Sequence, residues 1–300
     1  MDKVQVLLST YNGEKYIKEQ IESILNQENV EIDLLIRDDG SSDNTIEIIN
    51  EIIKRNNNVS LYQGRNLGPA KSFMDLVNRS GDFDYYAFAD QDDVWNSKKI
   101  ISAINKLKHE ENKPALYISA LEIVDENLNF LETKKIKGNF TFEGEIIKNF
   151  ATGCTQVFNK KLCNILKEYT PNYIIMHDSW ITRVCYAIGG SVIIDENSYI
   201  KYRQHGSNVL GYKDGGIKKL KRQISIAYKD NISMRLSIAK ELKNGYEKLL
   251  TKEAKEVVDN LISYQENKQA KKWLLKNKKF RTNDFKIDTK MKIAIRLNKF

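Results

Sequence analysis

Cysteine is scarce in this chain: Cys154, Cys163 and Cys185 are odd in number, and their separations match no metal-binding pattern. A disulfide framework or a zinc site is therefore not expected to organise the fold, and the three read as buried free thiols in a reducing cytoplasm. Long apolar runs are missing too. No stretch approaches the ~20 residues needed to span a bilayer, and Val4–Leu8 turns polar too soon for a signal-peptide core. Three prolines and several Asn/Lys-rich stretches constrain little. With 41% hydrophobic and 29% charged residues, the 300-residue chain has the balance of a soluble globular protein with ample material for a core.

The net charge of +8 is unevenly distributed. Residues 213–300 carry 24 Lys/Arg against 10 Asp/Glu, whereas residues 1–212 carry 24 against 30. An acidic body with a basic tail implies an anionic contact for the tail. Ile217, Leu220, Ile224 and Tyr228 keep helical spacing, while Lys218, Lys219, Lys221, Arg222 and Lys229 fill the other face. That pattern suits an interfacial helix on an anionic membrane surface. A helical appendage with a solvated basic face, packed on a second subunit of a homo-oligomer, is the alternative. Nucleic acid is not expected as a partner, because no recognition motif accompanies the charge.

The first ~110 residues alternate strand and helix patterns, which argues for an α/β fold with a mostly parallel sheet flanked by helices. Strands are expected at Val4–Leu8, Ile32–Ile36, Val59–Tyr62 and Tyr85–Ala89, and helices from Ile17, over Thr45–Arg55, over Pro69–Val77 and over Trp95–His109. Further on, strands are expected at Leu116–Ile123, Cys154–Phe158, Val192–Ile194 and Tyr199–Tyr202, with a helix at Ser179–Ala187. Lys135–Phe150 reads as irregular. The Gly-rich turn at Gly211–Gly216 is the candidate boundary between a domain over residues 1–212 and a basic helical region over 213–300.

The most informative stretch is Tyr85-Tyr86-Ala87-Phe88-Ala89-Asp90-Gln91-Asp92-Asp93, a buried-strand pattern running into three carboxylates within four positions. Open α/β sheets bind ligands at the C-terminal ends of their strands. Like charges crowded there disfavour joint ionisation unless a cation intervenes, and oxygen ligands suit Mg²⁺ or Mn²⁺ better than zinc. The competing reading is a solvated acidic turn with Asp93 as the N-cap of the next helix. Two more polar loops fall at the same edge: Ser9-Thr10-Tyr11-Asn12-Gly13 and Asp38-Asp39-Gly40-Ser41-Ser42-Asp43. The second is also a good tight turn and helix N-cap. Together the three loops outline a nucleotide-sized cleft.

The phrases STYNGEKYI, IRDDGSSDNT and FADQDDVW, in this order and spacing, resemble family 2 glycosyltransferases of the GT-A (Rossmann-like) fold. The resemblance continues through Gly153-Cys154-Thr155, Met176-His177-Asp178-Ser179-Trp180 and Tyr202-Arg203-Gln204-His205-Gly206-Ser207-Asn208, and it covers roughly residues 3–212. ADQDDVW together with YRQHGSN is most similar to the bacterial rhamnosyltransferase branch, which builds surface polysaccharides. The resemblance implies a metal-dependent, inverting transfer from a nucleotide-sugar donor, dTDP-rhamnose, to a glycan or lipid-linked glycan. It also implies a cytoplasmic enzyme, peripheral on the inner face of the cell membrane.

The same resemblance places roles residue by residue. Asp92, helped by Asp93, would coordinate Mn²⁺ or Mg²⁺, and Asp90 would face the ribose or the metal's waters. Thr10, Tyr11, Asp38 and Asp39 fall where relatives hold the nucleotide base, and Asn66, Gly68 and Lys71 fall on the donor side. Asp178 is the candidate base, in a place where many relatives have Glu-Asp and this chain has His-Asp. A carboxylate there would take the acceptor's proton; the alternative makes Asp178 a helix N-cap. His205 would be a third protein ligand to the metal. Cys154 has no nearby base in the sequence and reads as packing.

Three other readings compete. A UDP-hexose donor would keep the family. A nucleotidyltransferase would need an Arg/Lys-rich phosphate loop after the first strand, where Ser9–Glu14 stands instead. A non-catalytic nucleotide-sugar-binding assembly subunit is opposed by the intact set Asp90, Asp92, Asp178 and His205.

Overall fold

The structure, a computed structural model, describes residues 1–205 and 231–300. The expected strand–helix alternation is present from the start. Among the described residues it runs β1 (Asp2–Thr10), α1 (Ile17–Leu25), β2 (Val30–Asp38), α2 (Thr45–Ile53), β3 (Val59–Gln63), α3 (Pro69–Arg79) and β4 (Tyr85–Ala89). These four strands lie parallel in the order β3-β2-β1-β4. Short β5 (Val94–Trp95) and α4 (Lys99–Leu107) follow, then β6 (Ala115–Val124), β7 (Phe130–Lys134), α5 (Phe142–Ile147), β8 (Val157–Asn159) and α6 (Lys160–Lys167). The sheet closes with α7 (His177–Ala187) and the long β9 (Ser191–Arg203). Beyond β4 the order is β8-β6-β9-β5, with β7 on β6, and the pairing becomes mixed: β8 is antiparallel to β4 and to β6, while β9 runs parallel to β6.

Period-2 alternation builds a core on each face of the sheet. Val4, Val6 and Leu8 of β1 join Ile17, Ile21 and Ile24 of α1 and Ile100 and Ile104 of α4 in one cluster. Leu7 points the other way, into a cluster with Phe73 and Leu76 of α3, Leu162 of α6 and Trp180 of α7.

Several expectations need correction. Trp95 does not begin a helix. Val94 and Trp95 pair with Lys201 and Ile200 of β9, and the pairing buries the indole in the core on that face of the sheet. Asp93 therefore caps no helix, and the next one starts at Lys99. The two strands expected at Val192–Ile194 and Tyr199–Tyr202 are one strand, β9, with register shifts opposite Ser119–Glu122. Asp195, polar enough to suggest a turn, is buried inside it and accepts from the Tyr117 hydroxyl at 2.8 Å, with Lys106 at 3.2 Å. The strand expected at Cys154–Phe158 is a 3-10 turn over Gly153–Thr155 followed by β8. The region read as irregular contains α5, N-capped by Thr141, whose hydroxyl accepts from the Gly144 amide at 3.1 Å. The Gly211–Gly216 boundary and the amphipathic segment Ile217–Tyr228 lie outside the described residues.

From Asn231 the chain is helical: α8 (Asn231–Tyr246), α9 (Lys252–Ser263), α10 (Lys268–Lys276) and α11 (Phe285–Arg296). Ile238, Leu242, Tyr246, Val258, Leu261, Leu274 and Phe300 join the same cluster as Leu7 and Phe73. Polar ties reinforce the contact. Glu241 accepts from the Tyr169 hydroxyl and the Asn172 amide, the Thr251 amide donates to the Ala187 carbonyl, and the Asn139 amide group donates to the Arg281 carbonyl. No helix among the described residues is long and apolar enough to cross a membrane.

Two outcomes follow from this packing. Leu242 is fully buried where α8 joins the common cluster. Leu242→Ala should cost about 2–5 kcal/mol and leave thermal unfolding a single transition; a separate early transition for the C-terminal helices would contradict the shared core. Glu145 lies under α7 with its carboxylate 3.7 Å from Arg183, and burial pushes it up to about 8 despite that cation. Native Glu145 thus keeps its proton where the unfolded chain has lost it, so its contribution to stability falls as pH rises from the ordinary glutamate range to about 8. Glu145→Gln should melt near the wild type at pH 5 and increasingly above it towards pH 8.5, measured by calorimetry at each pH.

Candidate active site

The C-terminal ends of β1, β2 and β4 open on one cleft of about 630 Å³, closed on its far side by the start of α7 and the end of β9. Thr10, Tyr11, Asp39, Asp90, Asp92, Asp178 and His205 all line it. Part of the cleft wall is set by Gln91, whose side chain is clamped to the β1 loop. Its Oε1 accepts from the Thr10 hydroxyl at 2.7 Å and the Tyr11 amide at 2.8 Å. Gly13 is required beneath it, because a Cβ there would stand 2.6 Å from that same oxygen.

Asp38 and Asp39 take different roles although adjacent. Asp38 is fully buried and turned back on its own loop, accepting from the amides of Gly40 and Ser41 at 2.9 Å each. It shapes the turn and is not among the walls of the cleft. Asp39 reaches the cleft while pairing with the buried Arg37 and accepting from the amides of Leu67 and Gly68 at 2.8 and 2.9 Å. Gly68 holds φ at +75°, a conformation that favours glycine and carries the chain into α3. Lys71, one turn on, is exposed and lines a separate groove with Asp75 and Asn78, away from the cleft.

The acidic triplet divides as well. Asp90, at the end of β4, is pushed up to about 7 by burial, then by Asp92 and Asp178. Asp92 Oδ2 lies 2.7 Å from His205 Nε2, and the imidazole leans on the Tyr16 ring at 4.9 Å. Asp93 faces inward and is fully buried. Its Oδ1 accepts from the Arg203 amide at 3.2 Å, and its Oδ2 has no hydrogen-bond partner. Burial and the neighbouring Asp92 and Asp90 hold its carboxyl well above the usual range. Behind it sit Cys154, whose thiol burial pushes up further, and Lys99, which burial lowers to about 7. A thiol held protonated is no nucleophile, in line with its reading as packing.

Ligand atoms of Asp90, Asp93 and Cys154 lie within 4.8 Å of one another. The crowding of Asp90, Asp92 and Asp93, with an orphaned oxygen on Asp93, is the arrangement a divalent cation relieves. The carboxylates of Asp90 and Asp92 and the imidazole of His205 are the donors that face the cleft, and this oxygen-and-imidazole set fits a hard divalent ion.

Asp178 stands opposite, in the first turn of α7; the N-cap is Met176, so the capping alternative does not hold. Its Oδ1 accepts from the Ser179 amide at 2.5 Å and the Asn149 side chain at 3.3 Å, and burial raises its carboxyl above the ordinary value. His177 is stacked on Phe73 with ring centroids 3.8 Å apart. Neither of its nitrogens has a hydrogen-bond partner, and burial lowers it to about 3, so the ring is neutral and serves packing. Gly153 makes room for it, since a Cβ would stand 2.4 Å from His177 Nε2. Gln91, Arg203 and Tyr16 take part in the site although the sequence marks them only by their place inside the quoted motifs, and Asn149 carries no signal in the sequence.

A groove of about 700 Å³ between Glu143 and the helices α9 and α10 is slightly larger, but Asp90, Asp92 and Asp178 are not among its walls.

Comparison with known proteins agrees with this geometry. Residues 5–166 match the family model described as Glycosyl transferase family 2. A dTDP-rhamnosyl transferase, RfbG, of Shigella flexneri is 30% identical over 232 residues, covering 72% of this chain and 77% of the relative. An uncharacterized glycosyltransferase of Rickettsia prowazekii is 25% identical over 263 residues, covering 81% of each chain. Among solved structures, S. aureus TarS residues 1–349 in complex with UDP superposes with a TM-score of 0.62 at 17% identity, covering 99% of this chain and 88% of that one. On the family match and the extended similarity to RfbG, the chain belongs to glycosyl transferase family 2, and its fold is that of the GT-A enzymes.

Proposed function

We propose that the protein is an inverting, metal-dependent rhamnosyltransferase that moves rhamnose from dTDP-rhamnose to a hydroxyl of a glycan or lipid-linked glycan. The observation that carries the reading is the facing of one buried carboxylate, Asp178, and the acidic pair Asp90 and Asp92 across a single cleft. The donor assignment is supported by the extended similarity to a protein named as a dTDP-rhamnosyl transferase.

In this reading the β1 loop, Asp39 and Gln91 hold the nucleotide, with the exposed Tyr11 ring as a platform for the base. Asp90, Asp92 and His205 would hold Mn²⁺ or Mg²⁺, which when bound offsets charge developing on the departing diphosphate. Asp93, turned inward, holds the Arg203 backbone and thereby the strand end that delivers His205. Asp178 accepts the proton of the acceptor hydroxyl as that oxygen bonds to the anomeric carbon and the bond to the diphosphate oxygen breaks. A base whose affinity for protons is raised by burial is better matched to this task than an exposed aspartate. One displacement inverts the centre and requires no covalent nucleophile, consistent with the protonated Cys154.

The test is nucleoside diphosphate release from a panel of nucleotide sugars with and without Mn²⁺ or Mg²⁺. Metal-dependent release from dTDP-rhamnose, abolished in Asp92→Asn, is expected; release from a UDP-hexose alone would remove the rhamnose assignment. With an acceptor present, Asp178→Asn should lower kcat by about 10²–10⁴-fold and leave the donor KM within a few-fold. A kcat close to the wild type would remove Asp178 as base.

A further inference from the structure

Met176 and Ser179, on either side of Asp178 in the chain, line a second cavity next to the cleft. This smaller space, about 200 Å³, lies between α5, the start of α7 and α8, and Met176 lines both cavities. Its polar walls are Asn149, Ser179, Arg183 and Arg235; the rest is isoleucine and methionine. Asn149 links it to the base, since its side chain donates to Asp178 Oδ1.

The two guanidinium groups are anchored on one edge only. Arg183 donates from Nε and Nη2 to the Glu145 carbonyl at 3.4 and 3.2 Å. Arg235 donates from Nε to the Ile146 carbonyl at 3.3 Å and from Nη2 to the Ile147 carbonyl at 2.9 Å, with its plane over the Phe300 ring at 4.2 Å. Neither Nη1 has a hydrogen-bond partner among the described residues, and Arg235 forms no ion pair there. The carboxylate beside Arg183, that of Glu145, is 3.7 Å away and favours its protonated form at neutral pH. Burial, and then Arg183, depress Arg235 to about 10, the mark of positive charge held without its counterion. An uncompensated buried charge is costly, and a pair of them more so.

We propose that this cavity is the subsite for a phosphoryl group of the acceptor, which holds the reactive hydroxyl against Asp178. The inference rests on the reading of Asp178 as the base and adds the chemical class of the acceptor: a sugar bearing a phosphate monoester, or a sugar joined through a diphosphate to a lipid carrier. A phosphate monoester carries about two negative charges, matching two arginines, whereas a carboxylate would offset only one. Arginine is the side chain that recognises such oxygens through paired N–H groups. The volume admits a phosphoryl group and the start of its ester but is below the usual range for a whole small-molecule ligand.

The experiment is calorimetric titration of the full-length protein with inorganic phosphate in EDTA, with and without saturating dTDP to fill the donor cleft. Binding of one equivalent that dTDP does not displace is expected. Arg235→Gln and Arg183→Gln should each weaken it at least tenfold, and Arg235→Lys should recover part of it, with circular-dichroism melts checking that each variant is folded. No phosphate binding by the wild type, full displacement by dTDP, or unchanged affinity in a folded Gln variant overturns the proposal. Competition by octyl phosphate and glycerol phosphate then separates the sources: tighter octyl phosphate assigns a lipid carrier to the apolar walls, and tighter glycerol phosphate assigns a sugar phosphate. Donor hydrolysis by the wild type is read separately. Its absence with every nucleotide sugar would sink the glycosyl-transfer reading, while phosphate binding lost in the Arg variants would still locate an anion site.

Discussion

A single buried guanidinium, that of Arg203, ties together the segments that form the cleft. Its Nε donates to the Asp92 carbonyl at 2.9 Å, its Nη1 to the Glu126 carbonyl at 2.6 Å, and its Nη2 to the Glu19 carboxylate at 2.5 Å. Its backbone amide meets Asp93, and its plane lies 4.6 Å over the Tyr16 ring. One side chain thus fixes α1, the acidic loop, the turn after β6 and the end of β9. His205, two residues on, is delivered to Asp92 because Arg203 is held. A planar, permanently charged fork suits this task; a lysine could not bridge the same acceptors.

Around that anchor the acids are kept in contrasting environments. Asp92 is paired with an imidazole at the mouth of the site, Asp93 is sealed behind it with one oxygen unmatched, and Asp178 is buried across the cleft with an amide and an asparagine for company. Burial holds the carboxyls of Asp93 and Asp178 above the ordinary range, and the neighbouring Asp92 and Asp90 add to it at Asp93. Cys154, held protonated, and Lys99, sealed from the cleft by its burial, complete the layer under the site.

The C-terminal helices are part of the same arrangement. They bury Leu242, Tyr246, Leu261 and Phe300 in the core that also holds Phe73 and Trp180. Through Arg235 they grip the last turn of α5, and through the loop after α5 they reach Asn149 and hence Asp178. The Asp178 side of the cleft is thereby built jointly by residues far apart in the chain, whereas Thr10, Asp39, Asp90 and Asp92 come from the first hundred residues.

That division governs what could be read from the sequence. The β1–α1–β2–α2–β3–α3–β4 order was legible because each element shows its own period and is closed by polar turns, and the motifs of the first two strands and of Asp90–Asp93 sit at strand ends by necessity. The sequence alone therefore determined the α/β class, the family and the edge at which the chemistry gathers. It could not separate Asp38 from Asp39 or Asp92 from Asp93, since which of two adjacent carboxylates faces a cleft depends on backbone partners distant in the chain. For the same reason Trp95 looked helical until β9 was there to pair with it, and Lys71 looked donor-facing until α3 turned it outward. Only the tertiary structure decided the inward turn of Asp93, the neutral packing role of His177 and the meeting of Arg183 with Arg235, because burial and charge pairing are properties of neighbours in space that no local pattern encodes.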